Sequence, residues 1–368
     1  MKVIHFVDGH APNWRSAASR VRGLVPALAQ LGVESLVATN CSTVGKALAD
    51  IEPVMHFDSE NEMIASRAVS SLVERARGKL IAHSHTIGAS WFSSIPCRRV
   101  LTVDSQKFVI DARSGSDPSS RRTLAEHDWV IGTSKEVVEV LKSSGVPSDQ
   151  LSHIPNGVDT DCFQSDQDAR RAFRQENKIA DNAIVVVCPK SWSPVCGVID
   201  FAHSLRFLKL HHQELALPVS IVLAGDNNIP GEEEYVCSIR SVLDESELGR
   251  AAIVLGEVSF QRMRSVLAAA DICVIPSLRD TTSCVALEAM AAELSLVCTS
   301  ATGLSELVVP DMDGLLVDEG NSMALADALG RLILNRELRQ NLGKNARLKV
   351  QGEFDWQLIA NRVASTYE

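Results

Sequence analysis

Short apolar runs alternate along this chain with longer segments whose apolar residues recur every three or four positions. The first run, residues 3–7, reads VIHFV. A polar loop over 8–16 follows, and Val21, Leu24, Val25, Leu28 and Leu31 then mark one face of a helix that Gly32 stops. Runs at 34–39, 54–57, 80–83, 100–104, 129–133 and 153–154 predict further strands, with helices over 46–50, 63–77 and 135–144 and from residue 87 onward. Strands and helices alternating at this spacing predict βαβ units and a parallel sheet. The alternation weakens at PNGVD, 155–159, and in the polar segment 160–167. A second set lies beyond it, with strands at 184–188, 219–224, 252–255, 272–275 and 296–299. Its helices cover 199–210, 232–243 and 260–269, and another starts at Cys284. Three helices, 323–334, 338–350 and 356–367, end the chain. The fold class expected is α/β, two doubly wound Rossmann-like domains facing each other across a cleft. The domains expected are residues 1–165 and 166–350, with 351–368 as a closing helix.

Length supports two domains, because 368 residues exceed one comfortable core. A content of 45% hydrophobic and 22% charged residues excludes disorder. The formal charge of -10 lacks the basic surplus of a nucleic-acid binder, so no nucleic-acid partner is expected. Nine cysteines are scattered without a C-x-x-C pair, and Cys188, Cys273 and Cys298 sit inside apolar runs as small hydrophobes. This predicts a reduced, cytoplasmic protein without disulfides or a zinc site. The N-terminal run is too short for a signal peptide, and no run nears the ~18 apolar residues that span a bilayer. The protein is expected to be soluble or at most peripheral, which leaves a peripheral membrane contact open.

Candidate chemistry concentrates in residues 276–306, PSLRDTTSCVALEAMAAELSLVCTSATGLSE. A carboxylate, Asp280, sits in the turn after a strand, and a second, Glu288, sits on the helix that follows, with seven residues between them. Acidic groups at a strand's carboxyl end beside a helix N-terminus suit a ligand with phosphates and hydroxyls.

Five motifs then resemble, in order, family 4 of the retaining nucleotide-sugar glycosyltransferases, the glycosyl transferases group 1. They are IPNGVDTDCF at 154–163, LAGD at 223–226, VSFQRMRSVLAAADICVIPS at 258–277, VALEAMA at 285–291 and the FDW ending from Phe354. The resemblance covers nearly the whole chain. It implies the GT-B fold: an acceptor-side domain, a nucleotide-sugar donor-binding domain and a closing helix that crosses back to the first. It implies a hexosyltransferase that moves a sugar from a UDP- or GDP-sugar to a glycan, lipid-linked or small-molecule acceptor. No metal and no cofactor other than the donor is implied. By the same resemblance, Glu288 takes the ribose hydroxyls and Asp280 the donor sugar. An ionised carboxylate is acceptor-only and holds a diol by two charge-assisted bonds. Thr282, Ser283 and Cys284 present backbone N–H groups to the diphosphate. Gly303 lets the backbone approach the nucleotide, near Thr302 and Leu304. Gly225 ends the LAGD strand, and His85, in HSHTIGAS, is similar to a family histidine near the donor sugar.

The chain also departs from the family. A pattern like GRL-x-P-E-K-G usually supplies an arginine and a lysine, but residues 188–197 read CPKSWSPVCG. Ser191 takes the arginine position and Cys196 the lysine position, with Lys190 as the candidate replacement. Losing one direct cation from a buried diphosphate site costs about 1.5–3 kcal/mol. HAPNWRS at 10–16 stands where a Gly-Gly pair is frequent, and Asp104 where a histidine is common. Arg15, Arg20 and Arg22 offer positive charge on the acceptor side.

Each residue has a plainer reading. Helix faces and N-terminal turns ordinarily carry residues like Glu288 and Asp280. A lone histidine is more often structural, and His83 competes with His85. Lys190 reads equally as a solvated loop lysine, and the Arg15, Arg20 and Arg22 group as a solvated helix start. Trp14 is a sugar platform or a loop anchor. Glu306 caps the next element or faces the cleft, and Asn156 and Gly157 set turn geometry. Ser191, Cys196 and Asp280 motivate an alternative function, a non-catalytic GT-B glycan-binding or partner subunit. A nucleotide-sugar epimerase fits the motifs less well, and a phosphorylase lacks its pyridoxal-phosphate lysine motif.

Overall fold

The structure, a computed structural model, describes residues 1–9, 11, 14–48, 51, 54–56, 79–87, 97–104, 108–109, 111–112, 123–211, 218–281 and 283–368. The helix expected over 63–77, most of the one from residue 87, Thr282 and the Trp14 side chain lie outside these residues. The chain divides into two compact units, Met1–Gly157 with Phe354–Glu368, and Val158–Glu353.

Unit 1 holds strands β1 (Lys2–Val7), β2 (Glu34–Thr39), β3 (Val54–His56), β4 (Leu80–Ser84), β5 (Arg98–Val103), β6 (Trp129–Gly132) and β7 (Leu151–His153). They form a parallel sheet in the order β3-β2-β1-β4-β5-β6-β7. All of β1 after Lys2 is buried, as expected for a parallel strand covered on both faces. Helices α1 (Trp14–Gln30), α2 (Ser42–Ala47) and α3 (Lys135–Ser143) connect strands. α1 ends at Gly32, whose φ of 76° favours glycine. α3 starts where the Ser134 hydroxyl accepts from the Val137 N–H.

The C-terminal helix (Trp356–Ser365) belongs to this unit and packs on α1. Its anchor is the Trp356 indole. A Cβ at Gly23 would lie 1.8 Å from Trp356 Nε1, and one at Gly157 2.6 Å from Cδ2, so only glycine leaves room at either place. Leu24, Leu28, Ile131, Ile359 and Val363 complete one core around it.

Unit 2 holds helix α4 (Gln167–Glu176), then β8 (Ile184–Cys188), α5 (Val198–His211), β9 (Val219–Ala224), α6 (Glu233–Asp244), α7 (Glu247–Arg250), β10 (Ile253–Gly256) and α8 (Phe260–Ala269). β11 (Ile272–Ile275), α9 (Cys284–Ala291), β12 (Ser295–Thr299), α10 (Thr302–Leu307), β13 (Leu315–Val317), α11 (Ser322–Leu334) and α12 (Arg336–Glu353) follow. Its parallel sheet has the order β10-β9-β8-β11-β12-β13.

Five elements depart from the sequence pattern, one of them the short α7, to which it assigns nothing. α4 occupies a stretch to which the pattern assigns nothing, because polar bonds hold it. Arg170 and Arg174 reach Asp271, before β11, at 2.7 and 2.8 Å. α10 occupies a stretch that the pattern leaves without an element. β13 was not expected, and α2 begins at Ser42 rather than at residue 46. Both sheets share one feature that positions chemistry. Strand order reverses beside the first strand, between β1 and β4 and between β8 and β11. Ligands of doubly wound sheets bind outside the carboxyl ends of strands at such a reversal.

Candidate functional site

In unit 2 the reversal is bridged by an ion pair. Lys190 follows β8, and Asp280 lies between β11 and α9. Lys190 Nζ donates to Asp280 Oδ2 at 3.0 Å, with side chains 16% and 9% exposed. The Ser277 hydroxyl donates to the same oxygen at 3.3 Å. Burial alone would push the Lys190 ammonium down. The charge and hydrogen bond of Asp280, with the nearby Cys196 and Cys188 sulfurs, together outweigh it and hold Lys190 above the ordinary lysine range. An ammonium has three N–H donors, so this pair leaves two for another oxygen.

Ser283 is the residue before α9, yet its side chain makes no capping bond. Its hydroxyl is buried and has no hydrogen-bond partner. A buried polar atom without a partner is uncommon and calls for one. Gly303, in the first turn of α10, donates its N–H to the Asp280 carbonyl at 2.8 Å. A Cβ there would lie 2.3 Å from the Thr281 carbonyl oxygen. At Gly225, a Cβ would lie 2.1 Å from the Lys190 carbonyl oxygen. Both glycines let protein loops close on one another. Leu304 is wholly buried and Thr302 exposed. Cys284 and Glu288 are half-buried and one turn apart on α9. Glu306 is half-buried on α10.

The structure thus gathers Lys190, Gly225, Asp280, Ser283 and Gly303 at the carboxyl ends of neighbouring strands. Cys196 ends a 3-10 turn, Pro194–Cys196, and its Sγ accepts from the Ser193 hydroxyl at 3.2 Å. Gly197, with φ 64°, closes that turn onto the Pro276 carbonyl. Arg279, exposed beside Asp280, is a cation that the sequence reading passed over. Its N–H donates to the Val195 carbonyl at 3.3 Å, which ties it to the same turn.

In unit 1 the corresponding place holds imidazoles. His5 on β1 pairs in register with His83 on β4, and His85 lies two positions further along the same face. His5 Nδ1 and His85 Nε2 are 3.0 Å apart. His83 bonds the Tyr367 hydroxyl and the Thr102 hydroxyl, each at 2.7 Å. Burial pushes all three imidazoles below the usual histidine range, His5 to about 3. His83 and His85 part here. Both nitrogens of His83 are engaged, whereas His85 Nδ1 is buried with no partner.

Sequence spacing shows no metal-ligand cluster, yet the fold brings ligand atoms of these three histidines within 4.8 Å of one another. Hydrogen bonds account for the gathering. The His83 and His85 rings stack with centroids 4.1 Å apart, so their lone pairs do not converge. Structural zinc needs converging tetrahedral donors.

The reading of Arg20 as part of a solvated helix start is corrected, because Arg20 is 3% exposed. Its Nε donates to Asn156 Oδ1 at 2.7 Å, and its Nη2 pairs with Asp104. Ser16 Oγ donates to Asp104 at 2.5 Å. Arg20 Nη1 is buried without a partner.

Two Rossmann-like units whose strand orders reverse at chemically equipped points define the GT-B class. The fold matches that of Anabaena Alr3699/HepE in complex with UDP-glucose at TM-score 0.80, with 20% identity over 100% of this chain and 99% of that one. It matches sucrose-phosphate synthase from Thermosynechococcus elongatus at 0.77, with 19% identity over 100% and 98%. The model of Glycosyltransferase Family 4 matches residues 17–162, and that of glycosyl transferases group 1 residues 169–349. The chain belongs to this glycosyltransferase family.

Among curated relatives, the MMP alpha-(1->4)-mannosyltransferase of Mycolicibacterium hassiacum is 31% identical over 64% of this chain and 52% of its own length. The D-inositol 3-phosphate glycosyltransferase of Corynebacterium jeikeium is 27% identical over 68% and 61%. The chain therefore spans between half and two thirds of these relatives. Among the described residues no helix is long and apolar enough to cross a membrane.

Proposed function

We propose that this chain is a retaining, metal-independent glycosyltransferase that moves a hexosyl group from a nucleotide-diphosphate sugar, a UDP- or GDP-sugar, to a glycan, lipid-linked or small-molecule acceptor. One observation carries the reading. An ion pair with spare N–H donors and an unpartnered buried hydroxyl stand at one strand-order reversal, before a helix N-terminus. Names of relatives and the UDP-glucose complex of a structural neighbour support it.

In this reading Glu288 holds the ribose hydroxyls and Asp280 the donor sugar. Lys190, the Ser283 hydroxyl and the backbone N–H groups of Thr282, Ser283 and Cys284 receive the diphosphate. His85 faces the donor sugar. The glycosyl centre passes through an oxocarbenium-like state while charge builds on the departing diphosphate. Lys190 and the start of α9 stabilise that charge, so no metal is required. The reaction belongs in the cytoplasm, where all nine cysteines stay as the free thiols of the structure.

A thermal-shift and ligand-detected NMR panel of UDP-, GDP- and ADP-sugars tests this. One nucleotide class should bind, and Glu288→Ala should abolish its binding. No binding by any of them, with turnover unchanged in Glu288→Ala, overturns the proposal. Cys196 at the family's lysine position favours a second reading, a non-catalytic partner subunit. Activity that appears only in Cys196→Lys would establish it, and ordinary wild-type turnover removes it.

A further inference from the structure

Unit 2 contains a cavity of about 110 Å³ away from its strand-order reversal. It lies among the segment before α4, one face of α8 and the end of α9, and all of its lining belongs to unit 2. Two lining residues fix its place. Ala268 comes just before β11 and Ala292 just before β12, so the cavity reaches the amino ends of those parallel strands. Lys190 and Asp280 stand at the opposite, carboxyl ends of the sheet. One water needs roughly 10–15 Å³ of such space, so there is room for a much larger ligand.

The polar groups around this cavity are left open in a consistent way. The other arginines of α4 and α8 have carboxylate partners: Arg170 and Arg174 pair with Asp271, Arg171 with Asp168 and Arg262 with Glu176. Arg264 pairs with no carboxylate among the described residues, although Asp166 lines the same cavity. Its Nε donates to the Cys162 carbonyl at 2.9 Å and its Nη1 to Gln261 Oε1 at 3.0 Å. A guanidinium has five N–H donors, so three remain, two of them on Nη2. Asp166 Oδ1 accepts from the Asp168 and Ala169 N–H groups, which caps α4 and leaves Oδ2 open. Gln164 is exposed, and its side chain makes no hydrogen bond among the described residues.

We propose that this cavity is a sugar site separate from the donor site, which takes one neutral sugar ring, free or at the end of a glycan. A sugar hydroxyl both donates and accepts, so a ring of hydroxyls engages Arg264, Gln164, Gln261 and Asp166 together. Gln261, Arg264 and Ser265 share one face of α8, so the helix offers a row of polar groups. A small zwitterion would use only Arg264 and Asp166 with its two ends. A phosphate would be drawn to Arg264 but would face the Asp166 carboxylate, and neither has a proton to give the other. The two charges lining the cavity cancel, which matches an uncharged ligand.

Nitrogen-correlated spectra of the full labelled chain test this through the side-chain amide signals of Gln164 and Gln261, assigned with Gln164→Ala and Gln261→Ala. Glucose, mannose, N-acetylglucosamine and maltotriose are titrated in turn, with glycine and inorganic phosphate as the other arms. At least one sugar should move both signals to saturation. A monosaccharide that does so makes the ligand a free sugar, and maltotriose alone makes it the end of a glycan. A response to glycine or phosphate without any sugar, or to nothing, overturns the proposal. UDP should leave the bound sugar in place, and displacement by UDP would put the sugar in the donor site and overturn it.

Arg264→Gln should weaken sugar binding about tenfold and Gln164→Ala about threefold, the loss of one charged and one neutral hydrogen bond. If Arg264→Gln does not fold, Gln164→Ala still decides, read at Gln261, because the Gln164 side chain holds nothing else in place. Unchanged sugar affinity in the variants overturns the proposal. Sugar binding here requires no glycosyl transfer, so failure of the donor panel leaves this titration standing, and failure of this titration leaves donor binding untouched.

Discussion

The two units build the same crevice and furnish it in opposite ways. In each sheet the first strand lies beside a strand from the other half of the winding, and the segments after those strands diverge. Unit 1 fills the place with three neutral imidazoles, while unit 2 fills it with Lys190 and Asp280. Strand order settles where a ligand can sit, and the residues just past the strand ends settle its charge. A neutral network suits hydroxyls. An ion pair with spare N–H donors ahead of a helix N-terminus suits phosphate.

Acid should separate the units most strongly. His5, His83 and His85 have folded pKa values below the unfolded value near 6.5, chiefly because of burial. Above that value both states are neutral and the contribution is fully present. Below it the unfolded chain takes up protons that the folded one refuses, so stability falls as pH drops from 6.5 toward about 3. The loss is about 1.4 kcal/mol per pH unit for each histidine, or about 4 kcal/mol for the cluster at pH 5.5. Lys190 is raised instead, so its stabilisation is lost only in strong alkali. Pulse proteolysis in urea at pH 7.5 and 5.5, with fragments mapped, should show unit 1 weakening first. Equal weakening of both units would break the contrast.

Unit 2 should fail through its ion pair. Lys190→Ala leaves Asp280 largely buried without its cation, which costs about 3 kcal/mol. The double variant Lys190→Met with Asp280→Leu should recover most of that stability and still bind no nucleotide sugar. Urea unfolding and the donor panel read the two effects separately. A single variant as stable as wild type would mean that the pair is solvated and contributes nothing.

The regions also differed in how far the sequence revealed them. β11, α9 and β12 were readable because apolar runs of strand and helix length flank a turn with two carboxylates. The pairing of Lys190 with Asp280 was not readable. Each residue reads alone toward a ligand, and only the β8–β11 adjacency makes them partners. His83 and His85 share a face by simple alternation, but His5 joins them through strand register, which no local pattern encodes. Arg20 looked like a solvated helix residue because its partners, Asp104 and Asn156, lie far along the chain. α4 escaped notice because guanidinium bonds to Asp271, not an apolar stripe, hold it in place. The resemblance carried the fold well, whereas the buried polar contacts needed coordinates.

Cation supply gives a sharper test of the unit 2 site. Cys196 occupies the family's lysine position beside the Ser193 hydroxyl. Cys196→Lys should raise affinity for the diphosphate sugar about tenfold, the value of one charge-assisted bond. Isothermal titration of both proteins with the donor found in the panel measures it. Unchanged affinity would mean that Lys190, with Arg279 as a further candidate, already provides the positive charge that the phosphates need.

The smallest expected effect is also the most discriminating, because its sign differs between explanations. If the Ser283 hydroxyl is a structural cap for α9, Ser283→Ala should destabilise the unliganded chain by about 1 kcal/mol. The hydroxyl, however, is buried and makes no capping bond. Removing an unpartnered buried polar group relieves a desolvation penalty, so Ser283→Ala should raise unliganded stability by up to about 1 kcal/mol. The same change removes the donor proposed for the phosphates and should weaken nucleotide-sugar binding about fivefold. Stability gained without ligand and affinity lost with it, measured by urea unfolding and titration on one variant, is the signature of a group held ready for a ligand. A loss in both would make Ser283 an ordinary cap. The contrast between the units would then rest on Lys190 and Asp280 alone.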